Sequence, residues 1–148
     1  MGLTYKRILV AVDGSQEANW AFQKSIEICK RNNASLVISH VIDTRTFATV
    51  EAYDRTVAER AEKYAKQLMD EYKFRASQAG ITEVTTVVSY GSPKVKIAKD
   101  IAPRHNVDLI ICGATGLNAV ERFFIGSVSE HMTRYAKCDV LVVRTDKD

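Results

Sequence analysis

Short, almost unbroken apolar runs alternate along this chain with stretches whose apolar residues recur every three or four positions, and few architectures satisfy that pattern. In the first run, residues 5–12, Ile8, Leu9, Val10, Ala11 and Val12 follow one another without a polar interruption. A strand wetted on one face would alternate polar with apolar, so this one is covered on both. It ends at Asp13, Gly14 and Ser15. From Gln16 the period changes: Ala18, Ala21, Phe22, Ser25, Ile28 and Cys29 share one helical face, which stops near Asn32 and Asn33. Residues 35–42 give a second buried strand, and 43–49 a polar loop that reads as a candidate lid. Val57, Ala58, Ala61, Ala65, Leu68, Met69 and Tyr72 mark a long helix running to about Ala79 and ended by Gly80. Residues 81–90, rich in Val and Thr, make a third strand. Ser92 before Pro93 has the signature of an N-cap and first turn, opening a helix that ends near Pro103. Strand four covers 109–112. A last helix spans Ser127–Tyr135, and strand five is 140–143. Five strands alternating with four helices imply an open parallel sheet with right-handed crossovers and helices on both faces.

A chain of 148 residues buries enough apolar surface to fold as one domain, 1–148, without disulfides or structural metals. An apolar fraction of 46% and a charged fraction of 26% fit an ordinary globular protein, and no apolar run is long enough to span a bilayer. Residues 1–12 lack the cleavage site of a secretory signal, so a cytoplasmic location is expected. Cys29, Cys112 and Cys138 are odd in number, widely spaced and set in apolar surroundings, which suits reduced core thiols. His40, His105 and His131 lack the close pairing of metal ligands, so no protein-held metal is assigned and each reads as a structural or surface histidine. The net charge of +3 is spread along the chain, which gives no support to nucleic acid as a partner.

In an open parallel sheet, ligands bind beyond the carboxyl ends of the strands where strand order reverses. After strand four come Gly113, Ala114, Thr115 and Gly116, then nine residues, 117–125, then Gly126, Ser127, Val128 and Ser129 as a helix begins. Glycine lets main chain approach a bulky anion, and the first amides of a helix point outward without intrahelical partners. Phosphate is the natural guest of such a loop. Ser127 and Ser129 add hydroxyls there, although one of them would equally serve as the N-cap of the helix. Gly113 would equally do no more than end its strand.

The order strand, Gly-x-x-Gly, nine residues, Gly-Ser, helix resembles the nucleotide-binding signature of the universal stress protein family, and the likeness runs on through Val128, Ser129 and Glu130. The opening Arg7-Ile-Leu-Val-Ala-Val-Asp-Gly-Ser15 and the closing Cys138-Asp-Val-Leu-Val-Val-Arg144 also resemble that family's terminal strands, so the likeness covers nearly the whole chain. It implies a Rossmann-like five-stranded sheet in the order 3-2-1-4-5. For the ATP-binding subgroup it implies an adenine nucleotide with Asp13 on the ribose or adenine side and Ala11 and Val12 on the floor. Main-chain groups of Val41 would read the adenine edge, with Gly113, Ala114, Gly116, Gly126, Ser127, Val128 and Ser129 around ribose and phosphates. Without the resemblance, Asp13 is a turn residue and Val41 a core valine. The resemblance would let Arg122, inside the nine-residue stretch, approach a γ-phosphate, but exposed loop arginines are ordinarily just solvated. Two positions depart from the pattern: Asp139 stands where many members have proline, and Pro103 falls near the end of a helix, where it marks an early stop or kink.

The loop lacks the Gly-Lys-Ser/Thr ending of a hydrolytic phosphate loop, so no catalytic residue is assigned and any ATP hydrolysis should be slow. Magnesium would arrive with ATP, held by phosphate oxygens. The expected role is a nucleotide-responsive regulator in stress response, with ATP ordering residues 43–53 and the glycine loop and changing how an unidentified protein partner docks. The alternative is a dimeric interaction scaffold of the same fold that binds no nucleotide. A phosphoacceptor receiver domain needs an aspartate after strand three, where this chain has Ser89, Tyr90 and Gly91. Strand five, with Val140, Leu141, Val142 and Val143, would lie at a sheet edge with unpaired main-chain groups, and the resemblance implies a homodimer formed through it.

Overall fold

The computed structural model describes residues 4–44, 55–114 and 126–144. Its elements in chain order are β1 (Arg7–Ala11), α1 (Gln16–Asn32), β2 (Ser35–Asp43), α2 (Arg55–Gln78), β3 (Val84–Gly91), a composite helix α3 (93–104), β4 (Leu109–Gly113), α4 (Ser127–Tyr135) and β5 (Asp139–Val143). The strands form one sheet in the order β3-β2-β1-β4-β5, with every neighbouring pair parallel. This is the expected fold, and order reverses between β1 and β4.

Alternate residues of the central strands feed two cores, as the unbroken apolar runs require. Ile8, Val10, Leu36, Ile38, Leu109 and Ile111 pack beneath α1 and α2 with Phe22, Met69 and Tyr72. Leu9, Val37, Val41, Ile110 and Cys112 pack on the opposite face with Ile97, Ile101 and Met132 of α3 and α4. Each large aliphatic side chain so buried stabilises the fold by roughly 1.5–3 kcal/mol relative to exposure.

Local chemistry sets where the helices start and stop. Ser15 caps α1, its Oγ accepting from the Ala18 N–H at 3.1 Å. Asn33 ends the helix in the left-handed region (φ 55°), and the Ala34 N–H returns to the Cys29 carbonyl. Gly80, at φ 101°, does the same for α2, with the Ile81 N–H on the Ala76 carbonyl. Ile81 was expected in the third strand; it is buried against the helix end instead, and β3 begins three residues later.

One expectation about α3 needs correction. Ser92 occupies the N-cap position, but its hydroxyl makes no capping bond and has no partner among the described residues. The helix does end near Pro103, at Arg104, as expected, but it is not a plain α-helix. An α-turn (Pro93–Lys96) leads into a π-helical segment (Ile97–Ile101) and then a final turn (Ala102–Arg104). Pro103 has no N–H to give and would crowd the carbonyl four residues earlier. The wider π turn, in which the Ala102 N–H reaches back to the Ile97 carbonyl, relieves that crowding just before the ring. The chain then turns away at Asn106, with φ 55° and the Val107 N–H on the Ala102 carbonyl.

Candidate functional site

Three strand ends converge at the reversal point: β1 with Ala11, Val12 and Asp13, β2 with Val41, and β4 with Gly113 and Ala114. The start of α4 is tied to the last of these. The Ala114 carbonyl accepts the Gly126 N–H at 2.6 Å and the Ser129 hydroxyl at 2.8 Å, while the Ala114 N–H donates to the Val143 carbonyl at 2.9 Å. Ala114 thus fixes α4 against the carboxyl end of β4 and β5. Gly116 and Arg122, between these anchors, and most of the 43–53 loop lie outside the described residues.

Gly126 is the N-cap of α4, with extended dihedrals and no side-chain capping bond. The first intrahelical bond runs from the Glu130 N–H to the Gly126 carbonyl at 3.0 Å. The amides of Ser127, Val128 and Ser129 therefore have no intrahelical acceptor and no partner among the described residues, and they carry the positive end of the helix dipole. Neither serine is the N-cap. Ser127 is exposed, Val128 half-buried, and Ser129 buried with its hydroxyl proton committed to Ala114, a second approach to the Gly126 carbonyl lying at 3.2 Å. As arranged here, Ser129 can offer a ligand its amide but not its hydroxyl. Glu130, in the same turn, is exposed and paired with Arg134 at 3.2 Å, a contact worth little in water.

Gly113 has a different reason to be glycine. A Cβ there would stand 3.0 Å from the carbonyl carbon, carbonyl oxygen and Cβ of Glu17, in the first turn of α1. The missing side chain lets that turn lie against the strand end.

Around Val41 the sheet ladder is interrupted. The Val12 N–H donates to the Ser39 carbonyl at 2.9 Å, so odd-numbered residues of β2 turn their main-chain groups toward β1; the Leu36 N–H donates to Glu83, so even-numbered ones face β3. Val41 falls in the first set, two residues beyond the last β1–β2 pair, Ala11 with Ser39. Its N–H and C=O therefore face the crevice beyond β1, and neither has a hydrogen-bond partner among the described residues. Its side chain is buried in the core beneath α3 and α4.

Beside the end of β1 stand two residues to which the sequence had assigned no part in the site. Buried His40 brings Nδ1 to 2.9 Å from the Val12 carbonyl, and Tyr64 of α2 sets its ring edge-on to the imidazole at 6.1 Å between centroids. The Tyr64 hydroxyl lies over Gly14, where a Cβ would collide with it, and reaches the Asp13 carbonyl at 3.4 Å. Gly14 also needs its φ of 86°. Desolvation, and then the charges of Asp13 and Glu71, raise the Tyr64 hydroxyl above its usual pKa, so it stays a donor at neutral pH. Asp13 is half-buried, and its Oδ1 accepts the Ser15 N–H at 3.0 Å. That is the turn role expected of it, and its second carboxylate oxygen has no partner among the described residues. Tyr64 sits one turn before Leu68 on α2, the position from which an aromatic overhangs the strand ends; that spacing was the available signal.

A family model described as "Universal stress protein family" matches residues 4–144. The chain belongs to this family. A universal stress protein homologue from Staphylococcus haemolyticus is 52% identical over 145 residues, covering 98% of this chain and 88% of that one. Among solved structures, universal stress protein UspA from Lactobacillus plantarum superposes with a TM-score of 0.86 at 33% identity, over 97% of this chain and 100% of the other. Two more distant family members share the fold. One is a universal stress protein in complex with cAMP (TM-score 0.73, 24% identity, 97% and 99% covered). The other, from Archaeoglobus fulgidus, is in complex with dAMP (TM-score 0.67, 20% identity, 95% and 99% covered).

Proposed function

We propose that this universal stress protein binds ATP in the crevice between β1 and β4 and acts as a nucleotide-responsive regulator of stress response rather than as an enzyme. The observation that carries the reading is a pair of unspent main-chain sets bracketing one crevice. Val41 offers an adjacent acceptor and donor, the pattern that complements an adenine edge, and the start of α4 offers free amides suited to phosphate. Ala11, Val12 and Asp13 form the floor and ribose side between them. Ser127, Val128 and Ser129 hold the phosphates through their amides, while Gly126, whose own N–H is spent on Ala114, joins Gly113, Ala114 and Gly116 in completing the loop's approach. The cAMP and dAMP carried by the two distant family members support an adenine nucleotide as the ligand class. Magnesium would ride on the phosphate oxygens, and hydrolysis would be slow at most for want of a phosphate-loop lysine.

Competition against a fluorescent ATP analogue tests this. ATP should displace it more strongly than dAMP or cAMP, because the α4 amides favour the longer anionic chain. Displacement by cAMP at least as strong as by ATP would mean that α4 does not read a polyphosphate.

We further propose that residues 1–148 form one cytoplasmic domain that homodimerises and signals to a protein partner. Among the described residues no helix is long and apolar enough to cross a membrane. Outer strand β5, with Val140, Leu141 and Val142 only half-buried, favours pairing with a second copy. That edge also suits a second reading, a dimeric scaffold without nucleotide. Loss of dimer on placing Lys at Val142, read by light scattering with and without ATP, would support the edge; a dimer untouched by the change would remove it.

A further inference from the structure

We infer that His40 is a positioning residue for nucleotide recognition: its imidazole takes the Val12 carbonyl that the sheet would otherwise give to Val41, and so keeps Val41 free to read a base. The inference rests on the nucleotide reading above and adds a residue to it. In a parallel ladder the bond following Val12 N–H to Ser39 C=O would run from the Val41 N–H to the Val12 C=O. Both strands extend far enough for it: Val12 is in place to donate to Ser39, and β2 continues to Asp43. The bond is nevertheless absent among the described residues, and His40 Nδ1 stands 2.9 Å from the same carbonyl. A carbonyl only accepts, so the ring nitrogen facing it carries the proton. His40 is buried, held edge-on by Tyr64, and on the face opposite the Val41 side chain, so its ring can satisfy Val12 without entering the crevice. β1 thereby ends at Ala11 while β2 runs on to Asp43, at no cost of an unpaired buried carbonyl. Without that donor the cheapest remedy is for Val41 to close the ladder, which withdraws its N–H from the crevice.

Three variants separate this role from plain core packing. His40→Asn keeps an N–H near the place of Nδ1, His40→Gln moves it to the place of Nε2, and His40→Leu removes it. Each is titrated with ATP and with inorganic tripolyphosphate, which has no base. Loss of one base-edge hydrogen bond should weaken ATP binding about tenfold in His40→Leu and His40→Gln, with His40→Asn within about twofold of wild type and tripolyphosphate unchanged throughout. Hydrogen exchange at the Val41 amide, measured without ligand, should slow in His40→Leu and His40→Gln and stay fast in the wild type and His40→Asn. Equal ATP affinity in all four proteins, or parallel loss of ATP and tripolyphosphate, would overturn the inference while leaving nucleotide binding intact. A wild type that binds neither probe would defeat the functional reading itself, whereas the exchange result would still report on His40. Should His40→Leu fail to fold, the Asn and Gln pair carries the same comparison.

Discussion

Replacing Ser129 by Ala separates a serine that holds the site together from a serine that binds phosphate. The hydroxyl is buried and donates to the Ala114 carbonyl at 2.8 Å. Its loss removes one neutral hydrogen bond, but the carbonyl keeps the Gly126 N–H at 2.6 Å and is not orphaned. The cost should therefore sit near the middle of the usual range for a single bond, about 1 kcal/mol, rather than at the larger penalty of a stranded buried group. For a chain of this size that is a fall in melting temperature of roughly 2–4 °C. Urea unfolding should show the midpoint lowered by roughly 0.3–1 M with an unchanged slope. Both measurements are made without nucleotide, and ATP affinity at a temperature where both proteins are folded should change by less than about threefold. If instead the unliganded protein keeps its full stability while ATP binding drops tenfold or more, the hydroxyl belongs to the ligand and the clamp is misassigned.

Gly113→Ala should lower stability by about 1–2 kcal/mol, since overpacking against the Glu17 main chain outweighs the entropy gained by removing a glycine, while ATP affinity of the folded fraction holds; thermal unfolding alongside calorimetry reads both. Burial pushes the Cys29 and Cys112 thiols up to about 12, so neither should react with iodoacetamide in the native protein at pH 8, whereas both should in urea. The same shifts fix a pH dependence. Between pH 9 and 12 the unfolded chain loses thiol protons that the folded chain retains, so each of the two should reduce stability by up to about 1.4 kcal/mol per pH unit as pH rises.

What could be read in the sequence was mostly what short stretches decide for themselves. The apolar run at Ile8, Leu9 and Val10 dictated a strand with both faces covered, and Asn33 and Gly80 marked helix ends because left-handed residues are needed there. Ser127–Tyr135 was legible to the residue. The missed features depend on what lies far away in sequence. Nothing near Gly113 announces Glu17 across the strand. The Ser129 hydroxyl turns inward to a carbonyl 15 residues earlier, and His40 reaches one 28 residues earlier. Pro103 correctly announced the end of its helix, but the π turn before it reflects how the ring is accommodated in three dimensions. Asp139, unusual as a departure from proline, accepts the Tyr5 hydroxyl at 2.7 Å and so tethers the amino-terminal segment to β5. At the site, grouping Val41 with the α4 residues required the family resemblance; the ladder register then supplied the physical reason.

Calorimetric titration of the full chain with MgATP, and with MgCTP in the same buffer, tests most directly whether unspent main-chain groups at Val41 and at the start of α4 hold an adenine nucleotide. Saturable binding of one ATP per chain is predicted, with CTP weaker by about tenfold or more because its base cannot match the Val41 donor and acceptor in the same pose. No heat with ATP at millimolar concentration, or equal affinities for the two nucleotides, would contradict it.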